Sequence, residues 1–73
     1  MISYKPFWNT LESSQETTYT LITKHSVSSS TINRLRRGDG LSTLTLNDLC
    51  RILNCKIEDI LEYVPNNDDQ SLQ

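Results

Sequence analysis

Seventy-three residues, 36% of them hydrophobic and with a formal net charge of −2, suffice for one small domain, whose core is adequate only if the chain is helical and well packed or dimeric. So short a chain cannot wall off a catalytic cavity, and it shows no paired nucleophile and base, no phosphate-cradling glycine loop and no apolar run long enough to span a membrane; an enzyme, a small-molecule substrate and a membrane protein are not expected. Cys50 and Cys55 with the single His25 fall short of the about four ligands of a structural zinc, so no metal or cofactor is expected, and without a signal-peptide pattern the chain is placed in a reducing cytoplasm with both thiols as core filler.

Residues 1–5 read as a short polar lead-in. Pro6 suits the first turn of a helix, where its missing N–H costs nothing. Phe7, Trp8 and Leu11 stand at helical spacing and give that helix an apolar face, and the Ser13, Ser14, Gln15 cluster ends it. Trp8 is placed in the interior, the commoner use of tryptophan in a small helical protein, with stacking on a base or a partner as the other reading. A second helix is predicted from Thr17 as N-cap, with Leu21 and Ile22 inward and Thr18, Tyr19, Thr20, Thr23 and Lys24 outward. Its threonines and tyrosine are mediocre helix formers, so TTYTLIT also reads as a strand; helix is preferred because an isolated strand would lack a partner. His25 near its end reads as an ordinary surface histidine.

Ser28 suits the N-cap of a third helix, with Val27 before it and Ile32 at N4 forming an apolar staple that leaves the first turn jutting outward. That helix stops at Gly38. Ile32 and Leu35 make one narrow buried stripe, and at about 100° per residue Ser30, Asn33, Arg34 and Arg37 fall on the opposite side, with Ser29 near its rim. Serine and asparagine can reach base edges, and arginine can grip guanine bidentately or neutralise phosphate. A polar face with three arginines is also what a merely solvated helix carries. The charge is nonetheless local: between residues 17 and 44, Lys24, Arg34, Arg36 and Arg37 face Asp39 alone, while the remainder of the chain is acidic.

Leu41, Ser42 and Leu46 repeat the staple and N-cap, and Leu46, Leu49, Cys50 and Leu53 follow at the period of an amphipathic helix, with Asn54 suited to a left-handed end. A fifth helix is predicted over 57–64, with Ile57, Ile60, Leu61 and Val64 on one side, Glu58, Asp59 and Glu62 on the other, and Pro65 closing it. This makes a domain of residues 1–65, followed by a polar tail, 66–73, expected to be disordered.

Five short helices with a tight turn between the second and third resemble the lambda-repressor-like domain of the Cro/repressor (XRE-type) helix-turn-helix regulators of phage and bacteria. Leu21 and Ile22, SVSSSTINRLRRG over 26–38, LSTLTLNDLC over 41–50 and LNCKIEDIL over 53–61 carry the resemblance, which covers nearly all of the chain. It implies an all-α fold and a sequence-specific DNA-binding transcriptional regulator, a repressor by preference. There are departures. Ser26 stands where the family usually has a turn glycine and is expected to take a left-handed conformation at a cost of about 1 kcal/mol. Thr18 replaces a longer backbone-contacting side chain, Glu16 an apolar residue, and Lys56 a better N-cap.

Carried to the matching positions, the resemblance implies that Ser29, Ser30, Asn33 and Arg34 face bases in the major groove and that Thr18 and Arg37 hold phosphates. It also implies that the protein binds double-stranded DNA as a homodimer on a two-fold site. Tyr63 and Val64 are the candidate dimer element, though the same pair could finish the monomer core. The alternative function is a protein-interaction module on the same fold, such as an antitoxin-like or anti-repressor partner, acting through Tyr19, the acidic last helix or the tail.

Overall fold

Where a helix begins along this chain, a hydroxyl usually stands ready to accept an amide that the first turn leaves unpaired. The computed structural model describes residues 1–66, and in it four α-helices follow one another: α1 (Lys5–Ser13), α2 (Thr18–Thr23), α3 (Ser29–Arg37) and α4 (Thr43–Leu53). Ser28 Oγ accepts the Thr31 N–H at 3.1 Å, and Ser42 Oγ accepts the Thr45 N–H, also at 3.1 Å. At α2 the cap is reciprocal: Thr17 Oγ1 accepts the Thr20 N–H at 3.2 Å while Thr20 Oγ1 accepts the Thr17 N–H at 2.8 Å. This box decides a contest that propensity left open, and TTYTLIT is helical. At the far ends, Gly38 (φ 80°) and Asn54 (φ 51°) turn left-handed and stop α3 and α4.

The start of α1 is different because no side chain caps it. The Lys5 N–H donates to Ser3 Oγ at 3.2 Å, Pro6 has no N–H, and the Phe7 N–H donates to the carbonyl of Ile60 at 3.1 Å. A segment near the other end of the chain therefore completes the first helix. Thr10 Oγ1 adds a second tie, donating to the Asp59 carbonyl at 2.7 Å.

That segment is where the structure departs from expectation. The all-α class holds, but there is no fifth helix over 57–64: a single 3-10 turn, Ile57–Asp59, is followed by strand β2 (Glu62–Tyr63), which pairs antiparallel with β1 (Ile2–Ser3). Residues 1–5 are thus more than a lead-in. The Val64 N–H donates to the Met1 carbonyl at 2.8 Å, and the N-terminal ammonium donates back to the Val64 carbonyl at 2.7 Å. The Ile60 carbonyl is turned to Phe7, the Val64 N–H that a helix would direct to it bonds to Met1 instead, and Tyr63 and Val64 suit an extended chain. Asp59 Oδ2 accepts the Lys56 N–H at 3.1 Å and so ties the turn back to its start, although Lys56 offers no side-chain acceptor to the first-turn amides. Tyr63 and Val64 do not finish the core, since they are 64% and 42% exposed.

The core is one cluster, Tyr4, Phe7, Leu11, Leu21, Ile32, Leu35, Leu49 and Ile60, with the staple residues Val27 and Leu41 and both cysteines packed against it. Ile22, expected inward, lies at the surface. Leu21 is the only residue of the six in α2 that is buried. The expected tail falls on residues outside those described except for Asn66, whose Nδ2 lies 3.4 Å from Met1 Sδ.

Candidate nucleic-acid interface

Two packed helices at a fixed angle present a surface only if the turn between them is held. The Lys24 and His25 amides both donate to the Thr20 carbonyl, at 2.8 and 3.3 Å, and the Val27 N–H reaches the Leu21 carbonyl at 2.9 Å. Between them Ser26 takes φ 60°, the left-handed conformation expected of it. Glu16 secures the same turn from the side. Its carboxylate accepts the Thr20 hydroxyl at 2.8 Å, lies 3.3 Å from His25 Nε2, and stands 4.0 Å from Lys24 Nζ. The Thr20 hydroxyl first, and then His25, hold the Glu16 pKa below the ordinary carboxylate range. The departure at Glu16 is therefore a clamp, and His25 is half-buried within it rather than an ordinary surface side chain.

With Ile32 and Leu35 each 2% exposed against the core, the remaining faces of α3 point outward. Ser29, Ser30, Asn33, Arg34 and Arg37 are all exposed and share that one helix. Thr18, the first residue of α2, is half-buried on a separate element. The three arginines, all in the last turn where the helix dipole favours cations, go three ways. Arg36 leaves the polar face and lies 5.9 Å from the Trp8 ring centroid, over an indole whose neighbour Phe7 meets it edge-on at 4.9 Å. Arg34 Nη1 donates to the Gly40 carbonyl at 3.4 Å. Arg37 Nε donates to Asp39 Oδ2 at 2.9 Å.

The loop that receives these two arginines is itself anchored. The Gly38 and Asp39 amides donate to the Arg34 carbonyl at 2.9 and 3.0 Å, and the Tyr4 hydroxyl donates to the Asp39 carbonyl at 2.8 Å. Burial lifts the Tyr4 pKa above the ordinary phenol value, the Asp39 carboxylate adds to the rise, and a backbone hydrogen bond with Leu41 opposes it.

A tight helix-turn-helix whose second helix turns a short-side-chain polar face and a basic end to the outside is a surface for a grooved polyanion. Residues 7–66 match the family model of the Cro/C1-type HTH DNA-binding domain. The chain belongs to this family. It is similar to the crystal structure of the transcriptional regulator VanUg, with a TM-score of 0.78 and 31% sequence identity over 89% of this chain and 87% of that one. No curated protein matches the chain.

In this Cro/C1-type domain, the parts that sequence reasoning missed lie just outside the recognised motif. Asp39 and the Gly40 carbonyl engage the arginines, and a left-handed glycine immediately after a helix was the available signal, because it turns the next residues back over the last turn. No metal-ligating group of three or more His, Cys, Asp or Glu side chains occurs among the described residues. Burial first, and then Cys50 and Asp59, push the Cys55 thiol up to about 11, so that thiol stays protonated at neutral pH. No helix among the described residues is long and apolar enough to cross a membrane.

Proposed function

We propose that the protein is a sequence-specific transcriptional regulator that reads the major groove of double-stranded DNA with α3 and acts in the cytoplasm. The observation that carries this reading is the exposed face of α3, where Ser29, Ser30, Asn33 and Arg34 project from a helix whose opposite stripe is sealed into the core. Short polar side chains in the first turns can form hydrogen bonds to base edges, while cations at helix ends hold the phosphates that set register. Arg37 and Thr18 take the phosphate role. A bound domain occludes its site to other proteins, so repression is the mode proposed. Two copies bind together on half-sites about one helical turn apart.

Selection of bound sequences from a random duplex pool tests the reading. A single enriched sequence with two-fold symmetry is the expected result. Enrichment of one without symmetry removes the dimer, and failure to retain any duplex at low salt removes DNA binding and leaves a protein-interaction role.

A further inference from the structure

Asp39 is an acidic residue beside the basic end of α3. Its backbone does structural work: the N–H closes α3 on the Arg34 carbonyl at 3.0 Å, and the carbonyl takes the Tyr4 hydroxyl at 2.8 Å. Those two hydrogen bonds, one on each side of Cα, anchor the backbone from which the short Asp39 side chain reaches the last turn of α3. There it meets Arg37 Nε at 2.9 Å, with the Arg37 side chain 63% and the Asp39 side chain 48% exposed.

Exposed ion pairs usually contribute little because two flexible side chains must be ordered to make them. Here one partner is a short side chain on an anchored backbone, so less freedom is lost in making the pair. The pair is therefore formed in the free protein, yet open enough for another anion to displace it. A phosphate diester is such an anion, carrying the same charge and offering two acceptor oxygens to a guanidinium.

We propose that Asp39 is an internal phosphate mimic: its carboxylate occupies Arg37 in the free protein, and DNA must displace it before Arg37 can hold a phosphate. The inference rests on the DNA-binding reading above. It makes Asp39 a setting on affinity. Every duplex that recruits Arg37 breaks the same pair, so attraction to bulk DNA stays low and release stays fast. Arg34, whose loop partner is the neutral Gly40 carbonyl at 3.4 Å, carries no comparable restraint.

The test is a two-by-two set of wild type, Asp39→Asn, Arg37→Gln and the double variant, titrated with a labelled random-sequence duplex at several salt concentrations. Asp39→Ser serves as a second removal of the charge that cannot mimic the carboxylate's shape, and thermal melting confirms that each variant is folded. Asp39→Asn is expected to bind about two- to fivefold more tightly at low salt and to steepen the dependence of log affinity on log salt by up to about one unit. Both changes should vanish when Arg37 is glutamine. An equal gain in the Arg37→Gln background would mean that Asp39 acts as a general repulsive charge, and no gain in either aspartate variant would mean that it does not act on binding at all; each overturns the proposal while leaving DNA binding in place. If neither wild type nor Asp39→Asn binds duplex, the functional reading fails and the mimic fails with it.

Discussion

Asn33 and Arg34 stand on the exposed side of α3 within its first two turns, and their roles are separable from that of Arg37 at its end. Replacing either by alanine should cost about 1 to 3 kcal/mol on the selected sequence and much less on random duplex, relaxing the preference at one or two base positions. Titration of both variants against the two DNAs checks this, and equal losses on both would show that neither side chain reads sequence. Glu16 supports a different expectation. Its lowered pKa comes from partners that exist only in the folded chain, first the Thr20 hydroxyl and then His25, so the carboxylate binds protons more weakly folded than unfolded. Its stabilising effect is present at neutral pH and is lost as the pH falls through the ordinary carboxylate range to the lowered pKa of the folded group, where it protonates. Melting curves from neutral to acid pH should therefore converge for wild type and Glu16→Gln, with wild type the more stable only at the neutral end. Ser26 was legible as a left-handed position through the resemblance, as the residue standing where the family has glycine, and Asn54 as the residue that ends the helix of Leu46, Leu49 and Leu53.

Among the elements, those with their instructions close by behaved as read. Ser28 and Ser42 cap α3 and α4 through an amide three residues on, and Val27 and Leu41 pack back on the core, so each helix start is complete within five or six residues. Ser42→Ala should lower stability by about 1 kcal/mol, seen as a lower denaturation midpoint, while alanine at the neighbouring exposed Thr43 should change little. The last segment had apolar residues at helical period and formed a turn and a strand instead. Periodicity places side chains on a face, but it says nothing of a backbone acceptor already taken, and the Ile60 carbonyl is taken by Phe7. Trp8 was half legible. It does border the core, yet its outer surface carries Arg36, a pairing between α1 and α3 that no spacing within either helix announces.

Across the described residues, a single small cluster of eight buried side chains holds the helices together, so each member matters. Ile32→Ala or Leu49→Ala should cost about 2 to 5 kcal/mol, enough to leave a domain of this size largely unfolded, which loss of the helical circular dichroism signal at room temperature would show. Ile32 is the sharper case because the same helix carries the exposed face, and a variant that kept its fold but lost DNA would point to a shifted α3. The sequence by itself determined four of the helices, the N-caps of α2, α3 and α4 and the outward side of α3, and its resemblance to a known family pointed to the left-handed turn at Ser26. Each of these depends on residues within about one or two helical turns of one another, where propensity, capping and periodicity act. Only the tertiary structure decided that residues 62–63 pair with residues 2–3, that Glu16 clamps the turn, and where the three arginines point. Those outcomes depend on groups that meet because the core has closed, and a carbonyl, an indole or a carboxylate brought up from elsewhere in the fold selects among conformations that the local chain leaves nearly equal in energy.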